Sequence, residues 1–185
     1  PPPFLFAVVP FGILPFPVAW IAWVAVTWGL WAWASIRAFP RLWVLVLAYP
    51  GALIAAGHAQ NGLLTSALLV LAAHEIGKRQ AVSGAAIGAL VIKPHLAVLA
   101  PFWFASGRKW GAIIAAGATA IGLIVLSWLA FGTQTLADYT TSWRASGALM
   151  EGINPDFMLR MATFYSQVRL TLGDGPAFAA AGLSA

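Results

Sequence analysis

The chain has 185 residues, of which 61% are hydrophobic and only 8% are charged. A soluble domain has roughly a quarter of its residues charged, so this composition excludes a water-soluble globular protein and indicates one embedded in a lipid bilayer. The net charge of +5 comes from scattered pairs of Lys and Arg, which argues against nucleic-acid binding, and the lack of Cys excludes disulfides and thiolate chemistry.

Apolar segments separated by polar or Pro-containing turns predict an all-α, polytopic transmembrane helical bundle. The chain begins with "PPPFLFAVVP" and ends with the apolar "GPAFAAAGLSA", and we expect it to be an internal fragment of a longer protein. A Pro-interrupted run at 4–16 predicts a partial span. Full helices are predicted at 18–36, 42–57, 62–77, 81–106 with an interruption, and 111–131.

Three regions follow from this pattern. We predict a transmembrane helical region at 1–131, an extracytoplasmic loop at 132–176 and the start of a further span at 177–185. Within the loop, apolar residues recur at helical spacing and predict an amphipathic helix lying in the outer interface. The residues of this stripe are Phe157, Met161, Phe164, Val168 and Leu172.

The basic residues predict which loops face the cytoplasm. Short cytoplasmic loops collect Lys and Arg, and such pairs lie within 37–41, 78–80 and 107–109. This orientation places the polar stretch "GHAQNG", residues 57–62, and the segment 132–176 on the outer side.

The segment 81–106 must be broken for this topology to hold. Too few residues separate Arg79 from Arg108 for two full spans of about 20 residues each, and a single span would place them on opposite faces. Pro94 disfavours a helical Lys93 and favours a new helix start. We therefore predict a re-entrant or broken helix pair around Lys93-Pro94, facing protein or a water-filled cavity.

Lys93 is the strongest candidate for a functional residue. A charged side chain at the bilayer centre costs about 3 kcal/mol or more, so such residues usually have a function. A phosphate is the natural ligand, because Lys is a point-charge phosphate partner and helix-start amides bind anions. The alternative is a Lys that snorkels to the headgroups. The adjacent His95 is either part of this site or a hydrogen-bonded structural residue.

The stretch "GHAQNG" contributes His58, Gln60 and Asn61 to the same predicted side. Amide side chains suit sugar hydroxyls, because each offers both a donor and an acceptor. The alternative is a polar loop in which Asn61 and Gly62 form the turn. Since "IKPH", residues 92–95, is predicted to open to the same side, we expect the two stretches to share one ligand.

Other polar and small residues have structural interpretations. Glu75 lies four positions before Arg79 and is expected to pair with it, and His74 is also expected to be structural. The small residues of "AVSGAAIGAL", residues 81–90, favour close helix packing.

The stretches "GHAQNGLLTSALLVLAA", "AVSGAAIGALVIKPHLAVLAPFWFASGRKW" and "MATFYSQVRLTLG" together resemble glycosyltransferase family 87 over about residues 57–175. These are membrane enzymes of the GT-C superfamily, similar to polyprenol-phosphate-mannose-dependent mannosyltransferases. The resemblance implies a polyprenyl-phosphate-linked sugar donor, with a hexose such as mannose, and a glycolipid or glycan acceptor. It also implies a multi-pass protein of the cell's inner membrane with an extracytoplasmic active face.

The resemblance also carries residue roles onto this sequence. It implies that Gln60, Asn61, Lys93 and Pro94 belong to the substrate-binding motifs, and His58 and His95 lie beside them. The family's expected catalytic base is an Asp in a first outer loop, which would lie upstream of residue 1. The catalytic residue therefore stays unknown, and the fragment alone is predicted to be inactive.

Neither a cofactor nor a metal is expected, because no Asp, Glu or His cluster has ligand spacing. Two other functions stay open at this point. A multi-span transporter would also use a broken helix with a polar residue at mid-depth, whereas a structural membrane subunit would leave Lys93 unexplained.

Overall fold

The computed structural model describes residues 1–152 and residue 171. These residues form helices and turns, with no strand among them, which confirms the predicted all-α fold. The chain divides into two compact units, Pro1–Leu136 and Ala137–Ala185. The helices and sites considered below lie in the first unit, except for the end of the last helix.

Eight α-helices occur in the described residues: α1 Leu5–Val8, α2 Phe16–Ala38, α3 Trp43–Leu47, α4 Pro50–Gly57, α5 Gly62–Glu75, α6 Gln80–Ala89, α7 Ala100–Ser106 and α8 Trp110–Gly152. Short 3₁₀ turns connect or extend them at Pro2–Phe4, Val9–Phe11, Pro40–Leu42, Leu90–Ile92 and Pro94–Ala97. Inside α8, Gly132 has non-helical angles of φ 79° and ψ 169°, which mark a kink.

Among the described residues, two helices are long and apolar enough to cross a bilayer. They are α2, with 23 residues, and the segment Trp110–Ser142 of α8, with 33. A third candidate arises if α3 and α4 are counted with the preceding 3₁₀ turn as one bent span. The predicted helices at 18–36 and 111–131 are therefore confirmed, and the chain has the helices of a membrane protein.

The prediction of one helix over 42–57 is wrong. The backbone breaks between α3 and α4 and bends by 50° there. Pro50 explains the break, because it has no N–H to donate and it disfavours the helical conformation at the residue before it. Tyr49 accordingly has extended angles of φ −63° and ψ 114°, and Pro50 begins the new helix.

The predicted span 62–77 is shorter than expected. Helix α5 ends at Glu75 after 14 residues, which makes it about 21 Å long against a hydrocarbon core of about 30 Å. A four-residue turn then leads into α6, which runs back along α5. The Ser83 hydroxyl donates to the Ala72 carbonyl across this antiparallel hairpin at 2.8 Å.

Small residues let α6 approach α8 closely. A Cβ at Gly84 would meet the Ala112 carbonyl oxygen, and a Cβ at Gly88 would meet the Ala116 carbonyl oxygen. Backbone therefore faces backbone at two positions one helical turn apart. This confirms the predicted packing role of the small residues at 81–90.

Buried side chains form two clusters around the hairpin. One joins α5, α6, α7 and the start of α8, and the other joins α2, α4 and α5. The fully buried Phe104 of α7 lies in the first cluster and the buried Trp31 of α2 lies in the second. The predicted amphipathic helix with the stripe from 157 to 172, and the predicted further span at 177–185, lie outside the described residues.

Candidate functional site

The helix breaks at Lys93, as the sequence predicts. Lys93 has non-helical angles of φ −143° and ψ 74°, and Pro94 opens the 3₁₀ turn Pro94–Ala97. Its amide donates to the Leu90 carbonyl at 2.7 Å, and its carbonyl accepts from the Leu96 amide at 3.1 Å. Pro94 explains this geometry, because it disfavours helical angles at the preceding residue. The Lys93 side chain is half-buried, whereas Pro94 and His95 are exposed.

An apolar cavity of about 370 Å³ opens beside this break. Its wall includes Val91, two residues before Lys93, and Pro94, the residue after it, and Phe104 lines it from α7. The remaining lining residues come from α6, α7, α8 and the turns, and all have apolar side chains or none: Ile87, Gly88, Ala97, Val98, Ala100, Pro101, Ile113, Ala116, Gly117 and Ala120. The cavity therefore adjoins the chain at the break, next to Lys93, which is not itself one of the lining residues.

The "GHAQNG" loop has a different turn from the one expected. The Ala59 amide donates to the Ala56 carbonyl at 2.9 Å, and the Gln60 amide donates to the Ala55 carbonyl at 3.0 Å. This pair of bonds is a Schellman motif. The left-handed position belongs to Ala59, with φ 50°, and not to Asn61 or Gly62. The interpretation of Asn61-Gly62 as the turn residues is therefore wrong, because the turn that ends α4 lies at His58 and Ala59 and Gly62 is the first residue of α5.

The polar side chains of this loop have different environments. His58 Nδ1 lies 2.9 Å from the Ile54 carbonyl on its own helix, an arrangement in which a protonated Nδ1 donates. Gln60 is exposed. Asn61 is half-buried, stands before the first residue of α5 and makes no side-chain capping hydrogen bond. The Gln60 and Asn61 amides are thus candidates for a ligand, whereas the His58 ring is engaged within its own helix.

A second cavity, of about 330 Å³, adjoins Asn61 and is lined by Phe4, Val8, Trp23, Ala59 and Asn61. The Trp23 indole N–H donates to the Ala59 carbonyl at 3.0 Å. Sequence reasoning did not single out Phe4 or Trp23. In a chain with 10 Trp and 11 Phe, nothing distinguishes these two from aromatic residues of the bilayer interface.

The hairpin geometry places Asn61 and Lys93 at the same end of the molecule. Helix α5 is about 21 Å long, and α6 with its 3₁₀ extension at Leu90–Ile92 covers about the same distance in the opposite direction. The N-terminal turn Pro2–Phe4 also packs against Leu90–Ile92, while Phe4 lines the cavity at Asn61. This is the placement that a shared site requires, and the sharing of one ligand stays a prediction.

An ion cluster occupies the opposite end of the hairpin. The fully buried Glu75 accepts two hydrogen bonds from Arg79, each of 2.7 Å. Arg37 of α2 reaches the same carboxylate at 3.4 Å. The hydrogen bonds to Glu75 raise the pKa of Arg79. The predicted pairing of Glu75 with Arg79 is confirmed, and the cluster ties α2 to the hairpin.

The neighbouring His74 also has a local contact, since its Nε2 lies 3.2 Å from Lys78 Nζ. Over the part of the chain that the structure describes, no group of three His, Asp or Glu side chains is placed to hold a metal ion.

The family model of glycosyltransferase family 87 matches residues 1–185. No curated protein matches the chain, and no solved structure matches it. The family match covers the helix break at Lys93, the "GHAQNG" loop and both cavities.

Proposed function

The chain belongs to glycosyltransferase family 87, and we propose that it transfers a hexose, such as mannose, from a polyprenyl-phosphate donor. Family and membrane helices together make it a membrane glycosyltransferase. The proposed acceptor is a glycolipid or glycan, and the proposed active face is the extracytoplasmic side of the inner membrane. Transfer on the extracytoplasmic face to such an acceptor is usual in the GT-C superfamily, which the sequence resembles.

One observation carries the choice of donor: Lys93 lies at a helix break beside an apolar cavity of about 370 Å³. A polyprenyl phosphate has an anionic group joined to a hydrocarbon chain. The Lys93 charge suits the anionic group, and the apolar cavity suits the hydrocarbon chain. The phosphate would bind the Lys93 ammonium, and the first isoprene units would enter the cavity past Pro94. A nucleotide donor has no hydrocarbon chain for that cavity.

The affinity for such a donor would come mainly from its phosphate. Moving a hydrocarbon chain from lipid to an apolar cavity exchanges one apolar medium for another, so it gains little hydrophobic free energy. The cavity would therefore supply shape and orientation. The charge of Lys93, in a site of low water content, would supply most of the binding free energy. The same charge would stabilise the leaving phosphate in the transition state.

The proposed reaction is a single displacement at the anomeric carbon. The acceptor hydroxyl oxygen forms a bond to that carbon, the bond from the carbon to the phosphate oxygen breaks, and its electron pair leaves with the phosphate. Lys93 stabilises the negative charge that develops on this oxygen. The Gln60 and Asn61 amides would orient the sugar through its hydroxyls. We assign no residue as the base that takes the acceptor proton.

The test is transfer of a radiolabelled hexose from polyprenyl-phosphate donors by the full-length protein in membranes, with the matching nucleotide sugar as the comparison donor. We expect transfer from the polyprenyl phosphate and none from the nucleotide sugar once lipid-linked donors have been extracted and their synthesis blocked. Transfer from the nucleotide sugar under these conditions would overturn the proposed donor. The match to a glycosyltransferase family favours sugar transfer over the transporter alternative.

A further inference from the structure

The backbone of the "GHAQNG" loop is held in an unfavourable conformation at Ala59. Among the described residues, Ala59 and Arg108 are the non-glycine residues with positive φ, at 50° and 53°. Glycine usually takes this position of a Schellman motif, since a Cβ there approaches the following carbonyl oxygen. Alanine has no side-chain group that could compensate. The two Schellman hydrogen bonds favour this conformation from within the loop, and a contact from outside would add to them.

Trp23 supplies that external contact. Its indole Nε1 donates to the Ala59 carbonyl at 3.0 Å, across 36 positions of sequence. The ring itself is fixed from two sides: Phe4 and Phe11 contact it edge-to-face, with centroid distances of 5.7 and 5.6 Å and interplanar angles of 88°. An indole held by two rings is a rigid donor, because little freedom remains to be lost when the hydrogen bond forms.

The residues that follow Ala59 are the two amides of the proposed sugar site. Ala59 sets the direction in which the chain leaves α4, so it determines where Gln60 and Asn61 lie before α5 begins at Gly62. Asn61 and Trp23 also line the same cavity of about 330 Å³. A backbone outlier next to ligand-facing amides is the kind of strain that functional sites retain.

We propose that Trp23 is a positioning residue of the sugar-transfer site: its indole N–H holds Ala59 in the left-handed conformation and thereby places Gln60 and Asn61. The proposal rests on the proposed function. It adds a residue outside the polar motifs, on a different helix, and assigns it a role that acts only through the loop.

The test compares Trp23→Phe with Trp128→Phe in the protein in membranes. Trp23→Phe keeps an aromatic ring for Phe4 and Phe11 but removes the N–H. Trp128 is the matched control, because its Nε1 also makes one side-chain hydrogen bond, to Thr133 Oγ1 at 3.0 Å, on an exposed part of α8. We expect Trp23→Phe to lower kcat/KM for transfer about five- to thirty-fold, as the strained loop conformation loses population. Trp128→Phe should stay within about twofold of the parent.

A second substitution separates positioning from general packing. Glycine adopts the left-handed region freely, so Ala59→Gly should restore most of the activity in the Trp23→Phe background. It should change little in the parent. A purely structural role of Trp23 would give no such rescue. Loss of activity that Ala59→Gly does not restore, or equal effects of the two Trp variants, would overturn the proposal.

A spin label on Gln60→Cys gives a readout that does not depend on sugar transfer, since the native chain has no Cys. We expect Trp23→Phe to increase the label's mobility and Ala59→Gly to reverse this increase. Mobility that Trp23→Phe leaves unchanged would overturn the proposal even if the enzyme is active. A full-length parent that transfers no sugar would instead overturn the proposed function, and the label would then decide the Trp23–Ala59 contact by itself.

Discussion

Replacement of Gly84 by Ala should weaken the packing of α6 on α8. The added Cβ would collide with the Ala112 carbonyl oxygen and lie 2.8 Å from the Ala115 Cβ. The carbonyl oxygen and the Cβ are fixed to the backbone of α8 and cannot rotate away, so the two helices must separate. Overpacking of this kind costs typically about 1–3 kcal/mol. Gly88→Ala should act similarly, because its Cβ would meet the Ala116 carbonyl oxygen and lie 2.7 Å from the Thr119 Cβ.

The matched control is Gly122→Ala on α8, where an added Cβ would meet no atom within 4 Å. Ala is a better helix former than Gly by up to about 1 kcal/mol, so this change should be neutral or stabilising. The difference between Gly84→Ala and Gly122→Ala therefore isolates the packing cost from helix propensity. A cost of about 1–3 kcal/mol corresponds to a fall in Tm of roughly 2–12 °C for a chain of this size.

The assay is thermal unfolding of the purified protein in detergent, followed by the accessibility of engineered Cys residues or by circular dichroism. We expect Gly84→Ala to unfold at a lower temperature than both the parent and Gly122→Ala. Equal Tm values for Gly84→Ala and Gly122→Ala would show that α6 and α8 do not pack backbone against backbone, and the apolar cavity between them would lose its basis.

Three further predictions concern the ends of the hairpin and the loop. Glu75→Gln should lower the yield of folded protein, because it removes the charge that pairs with two guanidinium groups in a buried position; an unchanged yield in detergent would contradict this role. A single Cys replacing Gln60 should react with an impermeant thiol reagent in intact cells, and one replacing Gly107 should react only after lysis; the opposite pattern would reverse the predicted topology. His58→Ala should change transfer less than about threefold, since the His58 ring is engaged by its own helix; a larger loss would place His58 in the site.

The helix break at Lys93 and the packing of 81–90 were predictable because each depends on local chemistry. Pro94 disfavours helical angles at the residue before it, and small residues allow close approach at any helix contact. Pro50 carried the same local signal as Pro94. The apolar run that continues across Pro50 nevertheless resembles one unbroken helix, which hides the break between α3 and α4.

The contacts that the sequence did not reveal join residues far apart in the chain. Nothing in the sequence pairs Trp23 with Ala59, 36 positions away, or adds Arg37 to the Glu75–Arg79 pair. Ala59 itself is not a turn residue by type, so the sequence does not predict its left-handed conformation. Such contacts depend on tertiary packing, which local propensity does not encode.

The central claim is that Lys93 binds the phosphate of the donor, and single-turnover transfer by Lys93→Met in membranes tests it most directly. Met keeps most of the side-chain stem and loses the charge, so abundance should change little. Losing one well-placed charge contact should cost roughly 3–4 kcal/mol in the transition state, which is about a hundred- to thousand-fold in rate. Lys93→Arg should restore only part of the rate, because its planar guanidinium presents donors differently. For Lys93→Met we predict this fall of about a hundred- to thousand-fold in the rate per folded enzyme. Transfer by Lys93→Met at the parent rate would contradict the phosphate role and leave Lys93 as a residue that snorkels to the headgroups.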